Sequence, residues 1–124
     1  MAVVTKVEQM NGVLRNLSHS SADIIGSAIL TSDGFVVASM LPAELNEEMI
    51  SAMAATLLGA GEQIANEVVK SSLEQAFVKA KEGYVFVNAI TEHEVLLILT
   101  TSRVKLGLIF MEARKRSEEL LKVL

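Results

Sequence analysis

No cysteine occurs among the 124 residues. Disulfides, thiolate metal sites and cysteine nucleophiles are excluded together, and the composition suits a reducing cytoplasm. Aromatic residues make up 4% of a chain that is 51% hydrophobic, so its core must be built mainly from Val, Ile, Leu, Met and Ala. Basic residues are outnumbered, 11 against 15 acidic, for a net charge of −4. That balance argues against a sequence-independent grip on nucleic acid and favours protein partners. The opening MAVVTKVEQMNGVL interleaves charged and polar groups with its apolar residues and does not read as a secretory signal. The longest uncharged apolar run, Met49 to Gly61, falls short of the roughly 20 residues needed to cross a bilayer. The expectation is a cytoplasmic, membrane-free protein forming a single domain over residues 1–124, a length that can bury a core without staples.

The apolar spacing supplies the elements. Val3, Val7, Met10, Leu14 and Leu17 recur at steps of three and four, the mark of an amphipathic first helix. Two short apolar runs, Ile24 to Leu30 and Phe35 to Ala38, flank Asp33-Gly34, a strong hairpin signal because glycine accepts the positive φ of a tight turn. Pro42 stops the second strand, and Asn46 is placed to cap a long helix reaching about Lys70, with Glu47 and Glu48 near its positive end. Glu74 to Ala80, Tyr84 to Ile90 and Val95 to Thr100 read as three strands joined by the short loops KEG and TEHE, with Gly83 as the left-handed residue of the first loop. A last helix sets Leu106, Ile109, Phe110, Ala113, Leu120, Leu121 and Leu124 against Arg114, Lys115, Glu118, Glu119 and Lys122. Helix, two strands, helix, three strands, helix is an α+β layer order with an antiparallel sheet. Val95 to Leu99 is apolar throughout and belongs at its centre, whereas Lys79 and Lys81 mark the third strand as an edge.

The second helix is unusual. Turning 100° per residue puts Ile50, Met53, Leu57, Ile64 and Val68 on one expected core face, opposite Glu48, Ala52, Ala55, Gly59, Gln63, Asn66 and Lys70. Glycine inside a helix costs about 1 kcal/mol relative to alanine, so Gly59 and Gly61 need a compensating contact. Two readings are open, a tight site within the chain or an approaching helix from a second copy.

Chemistry finds little footing. Glu92-His93-Glu94 lacks a second histidine at ligand spacing and reads as a solvated turn. Ser18, His19 and Asp23 share one polar loop, better explained by helix-end and turn chemistry than by a nucleophile and base. Nothing matches a glycine-rich phosphate loop. Arg103, Lys105, Arg114, Lys115 and Arg116, interspersed with Glu112, Glu118 and Glu119, read as a salt-bridged face. No enzyme, metal or cofactor is expected.

Taken together, SAILTSDGFVVAS, the Ala/Gly-rich helix, FVKAKEGYVFVNAI and EVLLILTTSRVKLGLIFMEARKRSEEL resemble the roadblock family, also called the dynein light chain roadblock type, over essentially the whole chain. Gly107 matches a glycine that the family usually has, and Val36 departs from members with proline just after the turn glycine. The resemblance implies a five-stranded antiparallel sheet in order 2-1-5-4-3, with the second helix on one face and the first and third on the other. It also implies a homodimer in which third strands join and second helices pack side by side. On this sequence that interface falls on Ala52, Ala55, Gly59, Gln63, Asn66, Gln75, Phe77 and Lys79. Prokaryotic members of the gliding-motility type are associated with Ras-like small GTPases, as regulators of nucleotide state or as scaffolds, which sets the expected partner. A small-molecule sensory domain and a structural subunit of a motor or cytoskeletal assembly are the alternative readings.

Overall fold

A computed structural model describes residues 3–124. The chain runs through α1 (Lys6–His19), β1 (Ile24–Thr31), β2 (Val36–Met40), α2 (Glu47–Ile64), a π-helical turn over Ala65–Val69, β3 (Gln75–Ala80), β4 (Gly83–Ala89), β5 (Glu94–Thr101) and α3 (Leu106–Leu121). The helix starts are set locally. Thr5 accepts a hydrogen bond from the Glu8 amide through its side chain at 3.1 Å, and Asn46 Oδ1 accepts one from the Met49 amide at 3.1 Å. Each satisfies an amide that has no partner within its own helix. At the other end of the second helix, Lys70 takes a left-handed conformation (φ 61°, ψ 39°) and donates its amide to the Ala65 carbonyl. That conformation closes the helical run.

The five strands form one antiparallel sheet in the order β2-β1-β5-β4-β3. The expected order and layering hold. Leu96 and Ile98 of β5 join Met10, Leu14 and Leu17 of α1 and Ile109, Ala113 and Leu120 of α3 in one core. Val95 and Leu97, pointing the other way, meet Ala54 and Leu58 of α2 in a second core. No helix among the described residues is long and apolar enough to cross a membrane.

Four details depart from the sequence expectation. Val3 and Val7 are exposed: Val3 precedes α1, and Val7 lies in its first turn, ahead of the buried Met10, Val13, Leu14 and Leu17. The fully buried stripe of α2 is rotated by roughly 100°, one residue's turn, from the expected core face. Ser51, Ala54 and Leu58 are buried, while Met53 is 56% and Ile64 60% exposed and Val68 is exposed as well. Small residues beside Leu58 let the helix lie close on the sheet; Ile50 and Leu57 of the expected face stay partly buried against the second core, and Met53 and Ile64 are left outside. Gly83 has no positive φ, unlike Gly34 at +94°. It is needed for another reason, since a Cβ there would overlap the Thr100 carbonyl oxygen on β5.

The fourth departure is at Arg116, which is salt-bridged as expected but buried. Its Nη1 donates to Glu119 Oε1 at 2.7 Å, and its Nη2 donates to Glu112 Oε1 at 3.4 Å and lies 3.2 Å from Oε2. Glu112 is itself buried. Removing one member of such a pair strands an uncompensated charge, whereas apolar replacement of both does not.

Gly83→Ala should therefore cost about 1–3 kcal/mol through backbone displacement, read by urea denaturation. In the same assay Arg116→Ala should cost about 3–5 kcal/mol, and the Glu112→Leu/Arg116→Met pair markedly less.

Candidate functional site

The sheet ends at β3. Among the described residues its one partner is β4, in a register running from Gln75↔Asn88 to Ala80↔Gly83. Lys81 and Glu82 make a two-residue turn, so Ala80 and Gly83 are a mutually hydrogen-bonded pair. At the far end the Ala89 amide donates to the Glu74 carbonyl at 2.9 Å, which has the same parity. Ala76, Val78 and Ala80 therefore direct their backbone groups at β4. Gln75, Phe77 and Lys79 direct theirs away from the sheet, at an edge with no strand on it.

Side chains alternate the other way out of the sheet plane. Phe77 lies on the α3 side, with ring centroids 5.5 Å from Phe86, 6.0 Å from Phe110 and 6.4 Å from Tyr84, yet it remains 45% exposed. Lys79 places its Nζ 6.0 Å from the Tyr84 ring centroid. Gln75 Nε2 donates to Asn88 Oδ1 at 2.7 Å, and Asn88 Nδ2 donates to Ser117 Oγ of α3 at 3.1 Å. On the α2 side, Val78 is 47% exposed and Ala76 sits beneath Gly61. The edge thus couples unpaired backbone groups to half-exposed apolar side chains on both faces.

Helix α2 meets β3 through Gly61, and its outward face divides into two stripes. Ala52, Gly59, Gln63 and Asn66 are exposed along one, and Met49, Met53, Ala60 and Ile64 along the other. The small residues of the helix are small for separate reasons. Ala55 is half-buried against the first hairpin, where a Cβ on Gly34 would come within 3.3 Å of the Ala55 Cβ. A Cβ on Gly61 would lie 3.0 Å from Leu73 Cδ2 and 3.3 Å from Ala76 Cβ, so Gly61 serves a contact within the chain. Gly59 faces open space. Sequence reasoning grouped these positions and missed Met49, Met53 and Ile64, whose exposure follows only from the true angle of the helix on the sheet.

The other candidate clusters have structural employment. Asp23 Oδ1 accepts from the Thr101 hydroxyl at 2.8 Å and lies 3.7 Å from Arg103 Nε. It ties the start of β1 to the end of β5. At the tip of the last hairpin the Thr91 hydroxyl accepts from the His93 and Glu94 amides, each at 3.0 Å, and donates to Glu94 Oε1 at 2.7 Å. Those bonds account for the turn.

A sheet covered by one helix on one face and two on the other, with an unpaired edge strand and an apolar outer helix face, is an α+β platform whose available surfaces are an edge and a helix. The Roadblock/LC7 domain model matches residues 10–100. The uncharacterized protein MJ1340 of Methanocaldococcus jannaschii is 34% identical over 97 residues, covering 78% of this chain and 84% of that protein. The chain belongs to the Roadblock/LC7 family. Two solved structures share the fold at 15% identity, each covering 99% of this chain and 93% of the other. They are the gliding protein MglB of Thermus thermophilus, at a TM-score of 0.84, and an MglB with a tetrameric arrangement, at 0.87.

The two helix glycines should separate in a stability measurement. Gly59→Leu should leave the fold intact, and could raise chain stability by up to about 1 kcal/mol through helix propensity alone. Gly61→Leu must displace Leu73 or Ala76 and should lower it by about 1–3 kcal/mol. Urea denaturation at high dilution reads both.

Proposed function

We propose that this chain, acting over residues 1–124 as one roadblock-like unit, is a non-catalytic homodimeric regulator or scaffold of a Ras-like small GTPase in the cytoplasm. The observation that carries the reading is the juxtaposition of an unpaired β3 edge with an uncovered α2 face. The edge and the small stripe suit a second copy. Backbone groups on Gln75, Phe77 and Lys79 can extend the sheet, and Ala52, Gly59, Gln63 and Asn66 let another helix come near. Ala55, already against the first hairpin, stands at the margin of that contact. The family resemblance and the tetrameric arrangement of one MglB structure support self-association.

The neighbouring stripe of Met49, Met53 and Ile64 is left for a different partner. Contiguous exposed apolar side chains on a small protein mark an interaction surface, and methionine adapts its shape to the surface that meets it. Pairing two copies would present two such stripes, giving a GTPase a larger docking surface than either chain alone. Membership of the Roadblock/LC7 family and the likeness to the gliding protein support this partner class.

Light scattering should return twice the 13.4 kDa chain mass. Immobilised protein should capture a Ras-like GTPase from the same genome. Met53→Asp should weaken that capture at least tenfold, about 1.4 kcal/mol, while leaving the dimer mass unchanged. Undiminished capture by this variant would remove the stripe from the docking surface. Saturable thermal stabilisation by a metabolite, with no GTPase bound, would favour a ligand sensor instead.

A further inference from the structure

The parity of β3 determines more than that two copies can meet. We infer that two chains join antiparallel through β3 in a single register, with the two-fold axis passing at Phe77, so that each Phe77 faces the Phe77 of the second copy. This rests on the self-association proposed above. A closed two-fold contact between identical edges must be antiparallel. Its register is then a choice among a few axis positions, and three constraints decide it.

The first is hydrogen bonding. Only Gln75, Phe77 and Lys79 turn backbone groups outward within β3. An axis at Phe77 pairs all three, Gln75 with Lys79 of the second copy, Phe77 with Phe77, and Lys79 with Gln75. An axis at Ala76 would carry Lys79 opposite Leu73, before the strand begins, and an axis at Val78 would carry Gln75 opposite Lys81, in the turn. Either leaves an outward-facing residue of the strand without a strand partner. The second constraint is charge. An axis at Lys79 would set two ammonium groups directly opposite, and like charges so placed are destabilising.

The third constraint is side-chain fit. On the α3 face the Phe77 axis brings two half-exposed phenyl rings together, each already backed by Phe86 and Phe110. Lys79 of the second copy falls opposite Gln75, whose Nε2 is committed to Asn88. The Gln75 Oε1 is left to accept from that ammonium. On the α2 face Ala76 falls opposite Val78 of the second copy, which covers the half-exposed Val78 with a small partner. The three constraints select the same axis.

The absence of cysteine makes the register directly readable by oxidative cross-linking of introduced thiols. Phe77→Cys places two Cα atoms about 5.5 Å apart across the axis, within disulfide reach. The double variant Ala76→Cys/Val78→Cys keeps Phe77 and places unlike cysteines about 4.5 Å apart in a non-hydrogen-bonded pair. Phe77→Cys and the double variant should cross-link between chains at least tenfold faster than Ala76→Cys or Val78→Cys alone. Fastest linkage of either of those single variants, with an unchanged dimer mass, overturns the register and leaves the dimer standing. A dimer mass with no linkage in any variant overturns the β3 joint. A monomeric mass for the unmodified chain overturns the self-association on which the register rests.

Discussion

The structure depends on one strand that cannot face water on either side. Residues 95–99 of β5 are apolar without interruption, and their alternation sends Leu96 and Ile98 one way and Val95 and Leu97 the other. Each such side chain gains roughly 1.5–3 kcal/mol on burial, so leaving either face bare would forfeit a large share of a small domain's net stability. Two faces must therefore be covered with three helices. Helices α1 and α3 together cover one. Helix α2 covers the other by itself, which is why it is long and why it meets the sheet through Ser51, Ala54 and Leu58 at close range. Cover is concentrated over the centre of the sheet, and the marginal strands β2 and β3 each keep one edge without a strand partner among the described residues.

What was legible in the sequence follows the same logic. The unbroken VLLIL run identified the central strand, the Asp33-Gly34 pair located the first hairpin, and Lys79 identified the edge, because each signal is local and has few physical alternatives. The angle of α2 was not legible. Assigning the core to its bulkiest residues assumes that large side chains seek the interior, but a helix lying close on a sheet needs small ones at the contact, and Met53 and Ile64 were displaced outward. The burial of Arg116 was missed for a related reason, although its salt bridges were expected. Its spacing from Glu112 and Glu119 is visible in the sequence, but burial of the pair depends on the packing of α3 within the layer. Gly83 was rightly singled out and wrongly explained, since a crowding carbonyl from β5 leaves no trace in the residues of its own loop. The candidate surface was read in part. Gln75, Phe77 and Lys79 do share the outward parity of the edge, whereas Ala55 turned out to have a neighbour in its own chain.

The division of labour among small residues bears on function. Gly61 and Ala54 are small because the chain packs there, and Gly59 has no such cause within the chain. Solved structures with only 15% identity to this chain retain nearly all of its architecture. A fold so tolerant of substitution does not by itself specify an activity, and specificity must reside in what its edge and outer helix present. Here those are a ladder of unsatisfied backbone groups, an aromatic cluster that continues to the surface, and a row of methionine and isoleucine side chains.

An unprotected strand edge is also a hazard, and Lys79 bears on it. Amyloid-like growth stacks identical segments in parallel and in register, with successive rungs roughly 4.8 Å apart. Stacked in that way, β3 would place an ammonium group directly above another at every rung, with no counter-charge in QAFVKA to relieve the repulsion. The lysine thus opposes unlimited fibrillar addition while leaving a finite antiparallel contact available, and the edge stays usable in solution without becoming a template.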